Sequence, residues 1–207
     1  MKIIDVNQYH PSVAQVQHII KALVDGKIVI LPTDTYYCAC CIPSNKDAVK
    51  LLIKLQDAID KIRPLTFLCK DISQASELMH VDTMNYRILN AVVPASITFI
   101  LPAHQTTLKK LKMKSRSVVG VRIPHHQLLN QILDACDSPL IIQSIEHLED
   151  DMDVIRNISP FVEYWLKLQH GCMNKPSTII DMLQNQPKLI RSGQDIKKIA
   201  PFIELYN

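Results

Sequence analysis

The sequence predicts an α/β protein: a sheet with helices packed against it. Two observations carry this. Segments with apolar residues at helical spacing alternate along the chain with short runs of branched and aromatic residues. The chain has 207 residues, 47% of them apolar, enough to bury one sizeable core and too apolar for a disordered protein. No repeat, low-complexity tract or linker-like stretch divides it, so one domain over 1–207 is expected.

Ser12 stands where a helix cap belongs, ahead of Val13, Val16, Ile19, Ile20, Leu23 and Val24 at helical spacing, and Gly26 closes that helix. Ile28 to Leu31 read as a buried strand, and Pro32, with no N–H to donate, ends its ladder. Asn45 caps a second helix, with Ala48, Val49, Leu51, Leu52 and Leu55 along one side. Residues 65–69 read as a strand and 82–92 as a helix. Strands follow at 97–101 and 117–123, joined by a basic connector. Residues 126–135 are expected to be helical, 139–143 extended and 159–169 helical. Two late strands, 177–182 and 187–191, pair across Gln184-Asn185-Gln186.

The most informative segment is the strand end at Pro32. It brings Thr33, Asp34, Thr35 and Tyr36 to one point, a cluster of hydroxyls with one carboxylate. In open α/β sheets ligands bind outside the carboxyl ends of the strands. The competing reading is an ordinary hydroxyl-rich turn.

Composition narrows the chemistry. Four unclustered glycines exclude a Rossmann fingerprint and a Walker loop, so a phosphate site here uses side chains and helix ends. A net charge of +3 permits contact with nucleic acid without demanding it. The opening Met-Lys-Ile-Ile-Asp-Val is not a signal peptide, because charge breaks its apolar stretch at once. No run of apolar residues is long enough to predict a membrane span. Cys38, Cys40, Cys41, Cys69, Cys136 and Cys172 lack Cys-x-x-Cys spacing and read as buried, reduced thiols of a cytoplasmic protein; no metal site is expected. Strand alternation puts Cys38 and Cys40 on one face and Cys41 on the other.

Seven short segments, in order, carry a resemblance. They are Leu31-Pro-Thr-Asp-Thr-Tyr-Tyr37, Arg63-Pro-Leu65, Thr66-Phe-Leu-Cys-Lys-Asp-Ile-Ser73, Pro94-Ala-Ser-Ile-Thr98, Val119-Gly-Val-Arg-Ile-Pro124, Pro176-Ser-Thr-Ile-Ile-Asp181 and Ile190-Arg-Ser-Gly193. From about residue 10 to 193 the chain resembles the YrdC/YciO/YwlC family, whose best-known members are threonylcarbamoyl-AMP synthases; the segment at 66–73 is similar to the YciO branch. The resemblance implies a single YrdC-like domain, a twisted mixed sheet with flanking helices around a concave basic cavity. It implies a nucleotidyltransferase of the L-threonylcarbamoyladenylate synthase type, condensing L-threonine, bicarbonate and ATP with Mg for threonylcarbamoyladenosine (t6A) modification of tRNA. Thr33, Thr35 and Arg122 match threonine-binding positions. Ser144, Ser177 and Arg191 match nucleotide-binding positions, with Lys54 and Arg63 the nearest cations to the place of the family's Lys-x-Arg, and Lys61-Ile-Arg63 repeating that pattern displaced downstream. Some family members are described as binding double-stranded RNA. The run Lys109-Lys-Leu-Lys-Met-Lys-Ser-Arg116, with Lys109, Lys110, Lys112, Lys114 and Arg116, is suited to an RNA backbone or is a solvated surface segment.

The departures keep a second reading open. The family's Lys-x-Arg aligns with Gln56 and Ala58, and its Ser-Thr-Ser-Ala-Asn with Ile142-Gln-Ser-Ile-Glu146, where only Ser144 survives. Glu146 to Asp153 hold five carboxylates in eight positions, read as a solvated acidic loop. Pro-Gly-Pro becomes Pro94-Ala95-Ser96. His125-His126 reads as a helix start. The alternative is therefore a divergent, YciO-like protein that binds RNA or a nucleotide without synthase activity.

Overall fold

The computed structural model describes residues 1–7, 9–59, 65–111, 117–184 and 186–204. In chain order its elements are β1 (Lys2–Val6), α1 (Val13–Val24), β2 (Val29–Leu31), β3 (Tyr37–Cys41), α2 (Lys46–Ala58), β4 (Thr66–Leu68), α3 (Ile72–Ser76), α4 (Thr83–Val92), β5 (Ile97–Pro102), α5 (Gln105–Lys110), β6 (Val118–Arg122), α6 (Gln127–Cys136), β7 (Leu140–Ile145), α7 (Met152–Ile158), β8 (Tyr164–Leu168), β9 (Thr178–Asp181), β10 (Lys188–Arg191) and α8 (Ile196–Glu204). Among the described residues the strands form one sheet in the order β1-β8-β2-β3-β7-β4-β6-β5-β9-β10. Pairs β1–β8, β2–β8, β4–β6 and β5–β9 are parallel and the rest antiparallel, so the α/β class with a mixed sheet and flanking helices is what the chain forms.

The local signals act as their chemistry requires. Asn45 Oδ1 accepts from Asp47 N and Ala48 N, at 3.2 and 3.0 Å, and starts α2. Gly26 ends α1 at φ +77°, a conformation that disfavours a Cβ. The strand pair expected late in the chain is β9 and β10, antiparallel through Lys188 and Asp181. His126 caps α6, accepting from Leu129 N.

Residues 159–169 overturn the helix expected there. They include β8, a strand inside the sheet between β1 and β2. Trp165 fills the core on one face, and Leu166 and Leu168 fill it on the other. Burial on both faces erases the alternation that marks a half-buried strand, so the apolar run satisfied a helical template equally well. The helix lies upstream as α7, where Asp151 Oδ1 accepts from Asp153 N and Val154 N. β1, α3, α5, α7 and α8 have no counterpart in the periodicity reading.

The two faces of the sheet are filled differently. On one, α2, α4 and α8 pack against Ile30, Ala39, Phe67, Phe99 and Val121. On the other, α1 and α6 cover Val29, Leu31, Cys38, Cys40, Leu68, Leu140 and Leu166. Cys41 thus points away from Cys38 and Cys40, as strand alternation requires. All six cysteines are free thiols. Burial pushes their ionisation up, that of Cys41 to about 12 and of Cys136 and Cys172 to about 11, so they stay protonated at neutral pH. Among the described residues no helix is long and apolar enough to cross a membrane.

Candidate ligand-binding site

Pro32 ends the β2 ladder, whose last pair is Leu31 with Cys38 on antiparallel β3. Residues 32–36 are therefore a hairpin loop at the carboxyl end of β2. The loop's hydroxyls form a chain whose direction can be deduced. Thr33 Oγ1 donates its one proton to Tyr36 O at 2.7 Å and accepts from Thr35 N at 3.0 Å. The Thr33–Thr35 hydroxyl contact of 3.0 Å must then use the Thr35 proton. Thr35 Oγ1 in turn accepts from Arg122 Nη1 at 2.7 Å, across from β6. Thr33 and Thr35 are buried, and both hydroxyl protons are committed to holding the loop and the guanidinium.

Asp34 is gripped from three sides. Ser96 Oγ donates to its Oδ2 at 2.8 Å and His125 N at 3.2 Å, while Arg122 Nη2 lies 3.2 Å from Oδ1. Burial alone would raise this carboxyl. The Arg122 guanidinium, the Ser96 hydroxyl and the His125 N–H outweigh it and hold Asp34 below the usual carboxylate range. His126 beside it is pulled down to about 4 by burial, with Arg122 adding to that and Asp34 opposing it, so the ring is neutral at pH 7.

Arg122 is only 2% exposed, yet its donors are incompletely used. Nε has no acceptor, and Nη2 reaches Asp34 in distance but without hydrogen-bond alignment. Buried donors without acceptors are rare and costly, about 1–3 kcal/mol each. Strand register explains what lies beside them. Thr66 pairs with Gly120 and Ile142, Ile100 with Gly120, and Thr98 with Ile179, so these residues share one face with Arg122 beyond α1 and α6. With Ser144, Ser177 and Arg191 they line a cavity of about 230 Å³. Three isoleucines (Ile100, Ile142 and Ile179) make it apolar below and hydroxyls and two guanidinia make it polar around.

Two motif glycines have steric roles here. A Cβ on Gly120 would lie 2.8 Å from Thr66 Oγ1 and 3.1 Å from Thr98 Cγ2. A Cβ on Gly193 would lie 2.5 Å from Pro176 O and 2.6 Å from Ser177 O. That close approach lets Gly193 N donate to Thr178 Oγ1 and brings Arg191 onto Ser177. Arg191 Nη2 donates to Ser177 O at 2.9 Å and to Ser177 Oγ at 3.2 Å, and Ser177 Oγ is 3.0 Å from Thr98 Oγ1.

The structure thus brings Arg122, Ser144, Ser177 and Arg191 together, with Thr33 and Thr35 directly behind Arg122. Lys54 is not among them: it is exposed on α2, whose buried side packs on the opposite face of the sheet. Gln56, aligned with a family cation, is buried in the same helix. Arg63, Lys112, Lys114 and Arg116 lie outside the described residues. Lys109 is exposed near the end of α5, and Lys110 is that helix's last residue. The acidic stretch at 146–153 is not merely solvated, since Glu149 accepts from Tyr37 Oη and Cys172 N, and Asp151 caps α7. Ser96, Thr66 and Thr98 lie within the motif segments, yet the motifs alone assign them no role at the site. Ser96 stands where the family has proline, and its role emerges only from a partner 62 residues away.

The Sua5/YciO/YrdC family, described as Telomere recombination, matches this chain over residues 21–193. The chain belongs to that family. Among its members, YciO of Escherichia coli (strain K12), itself an uncharacterized protein, is 26% identical over 205 residues, covering 94% of this chain and 97% of its own. The threonylcarbamoyl-AMP synthase of Vibrio vulnificus (strain YJ016) is 25% identical over 196 residues, covering 87% of this chain and all of its own. The crystal structure of E. coli YciO superposes with a TM-score of 0.82 at 22% identity, over 98% of this chain and 100% of that one. P. abyssi Sua5, solved in complex with L-threonine, superposes at 0.77 and 20% identity over 93% of this chain, which spans 58% of that protein. At these identities the structural likeness establishes the fold.

Proposed function

We propose that the concave cavity binds L-threonine and ATP, and that the protein is a threonylcarbamoyl-AMP synthase-type nucleotidyltransferase serving t6A modification of tRNA. The observation that carries this reading is Arg122: a buried guanidinium, held by Thr35 and Asp34, with donors left over beside a cavity. A carboxylate satisfies such donors bidentately, which a point charge cannot match. Thr33 and Thr35 then act by aiming Arg122, and Ser144, Ser177 and Arg191 supply the hydroxyls and charge for the nucleotide. The family's threonylcarbamoyl-AMP synthases and the threonine complex of P. abyssi Sua5 support the choice of ligand. Catalysis on this reading is positioning plus charge stabilisation of a carbamate attacking the α-phosphate, with magnesium arriving on ATP and pyrophosphate leaving.

A second reading is favoured by two other observations. At about 230 Å³ the cavity beside Arg122 is, taken alone, below the roughly 300–1,000 Å³ of sites for drug-sized ligands. The exposed, outward Lys54 and the buried Gln56 leave that helix without a cation directed at the cavity among the described residues. On this reading the protein is a YciO-like binder of a small anion, a nucleotide or RNA, without synthase activity. Two measurements separate the readings: L-threonine titrated into the protein by calorimetry, and pyrophosphate release from ATP with magnesium and bicarbonate, with and without threonine. Threonine-dependent pyrophosphate establishes the synthase. Threonine binding without pyrophosphate leaves the second reading, and absence of both removes threonine from the site. Arg191→Ala and Ser177→Ala should weaken whichever binding is seen.

A further inference from the structure

Away from this cavity, two histidines are held in a geometry that the proposed function does not use. Met79 and Ala103 form an isolated antiparallel bridge, flanked by His80 N donating to Pro102 O and His104 N donating to Leu78 O, at 2.8 and 2.9 Å. His80 and His104 are therefore diagonal neighbours on the outer face, while Met79 and Ala103 are buried beneath. Their rings meet at 71°, with His104 Nδ1 3.2 Å from His80 Nε2. The tautomer of His104 follows from its other nitrogen. Nε2 lies 2.9 Å from Ser76 O, and a carbonyl only accepts, so Nε2 carries the proton and Nδ1 presents a bare lone pair to His80.

We propose that His80 and His104 form a chelating site for a divalent transition-metal ion of the zinc, nickel or copper class. Two nitrogens bound about 2.0–2.1 Å from a tetrahedral ion stand about 3.3–3.4 Å apart, close to the 3.2 Å already present. The bond from His104 Nε2–H to a backbone carbonyl is the outer partner that orients metal-ligating histidines and fixes their tautomer. Without the ion, His80 Nε2–H donates to His104 Nδ1. With it, the His80 proton moves to Nδ1 and both facing lone pairs bind the metal, with no net proton change. Imidazole suits these ions and not magnesium or calcium, so the site is chemically distinct from any ion carried by ATP. Among the described residues no third His, Cys, Asp or Glu joins the pair. Water fills the remaining positions, and the ion exchanges readily.

The test is a zinc chloride titration of the full chain, followed by calorimetry and by long-range proton–nitrogen NMR of the histidine rings. The expected result is one dominant site, with the His80 and His104 rings shifting first and His80 changing tautomer. His80→Gln and His104→Gln should each weaken binding by about tenfold or more, the low end of what losing even an outer partner costs. His170→Gln and Arg191→Ala should leave it unchanged, which separates this result from the fate of the anion cavity. His80 is exposed and His104 half-buried, and circular dichroism checks that the variants remain folded. No zinc binding, zinc shifts at other histidines first, or unchanged affinity in His80→Gln would overturn the proposal.

Discussion

Replacing Arg122 with methionine isolates the buried pair on which the candidate site depends. The guanidinium is 2% exposed, and the Asp34 side chain 8%. Removing one member of such a pair leaves an uncompensated charge and costs about 3–5 kcal/mol. Asp34 keeps its bonds from Ser96 Oγ and His125 N, so the lower end, about 3 kcal/mol, is expected at pH 7. That is a large share of the roughly 5–15 kcal/mol stabilising a typical domain. The pH dependence identifies the cause. In the wild type the Asp34 carboxyl is depressed, so its contribution is present above its unfolded value and is lost as pH falls through the folded one. Without Arg122 the folded value rises, because burial is the largest influence on this carboxyl and the strongest group opposing it is gone. The variant's deficit then grows as pH rises through that value and shrinks as pH falls. Urea unfolding at pH 7 and at about pH 5 measures this difference; because His126 is held near 4 in the folded state against about 6.5 unfolded, it also contributes over this range, so both proteins are compared in a His126→Asn background that removes its titration. Arg122→Met should lose clearly less at pH 5 than at pH 7, and adding Asp34→Asn should recover part of the loss at pH 7. Equal losses at both pH values, with no rescue from the added Asp34→Asn change, would refute the ion-pair account and leave packing as the cause.

Three further outcomes follow from named contacts. Gly120→Ala puts a methyl 2.8 Å from Thr66 Oγ1 in the cavity floor, so it should cost about 1–3 kcal/mol in thermal unfolding and abolish ligand binding, with Thr66→Ala partly restoring both. Tyr37→Phe strips the acceptor from Leu168 N, now 3.0 Å from the phenol oxygen; a loss of about 1–3 kcal/mol and faster amide exchange at Leu168 are expected. Asn45→Ala removes the α2 cap and should lower the urea midpoint by an amount equivalent to about 1 kcal/mol, with the slope unchanged.

What the sequence disclosed, and what it withheld, divides along the reach of each interaction. Asn45, Gly26 and Pro32 act on their own backbone or on neighbours within a few residues, so residue type alone revealed the helix start, the helix end and the strand end. β8 was misread because burial on both faces removes the alternation that identifies a strand, and only its neighbours β1 and β2 determine that it is one. The ordered motifs indicated that the segments around residues 33, 122, 144, 177 and 191 converge, and they do. They did not distinguish a residue that meets a ligand from one that supports it. Thr33 and Thr35 fit a ligand role by type, yet a carbonyl three residues along the chain takes the Thr33 proton, Thr33 takes that of Thr35, and Arg122 fills an acceptor position on Thr35. The Pro94-Ala-Ser substitution seemed a loss of family geometry, yet Ser96 supplies the hydroxyl that holds Asp34 against Arg122. In each case the deciding atom belongs to a partner whose proximity depends on loop shape or strand register. A hydroxyl's role here is set by where its single proton goes.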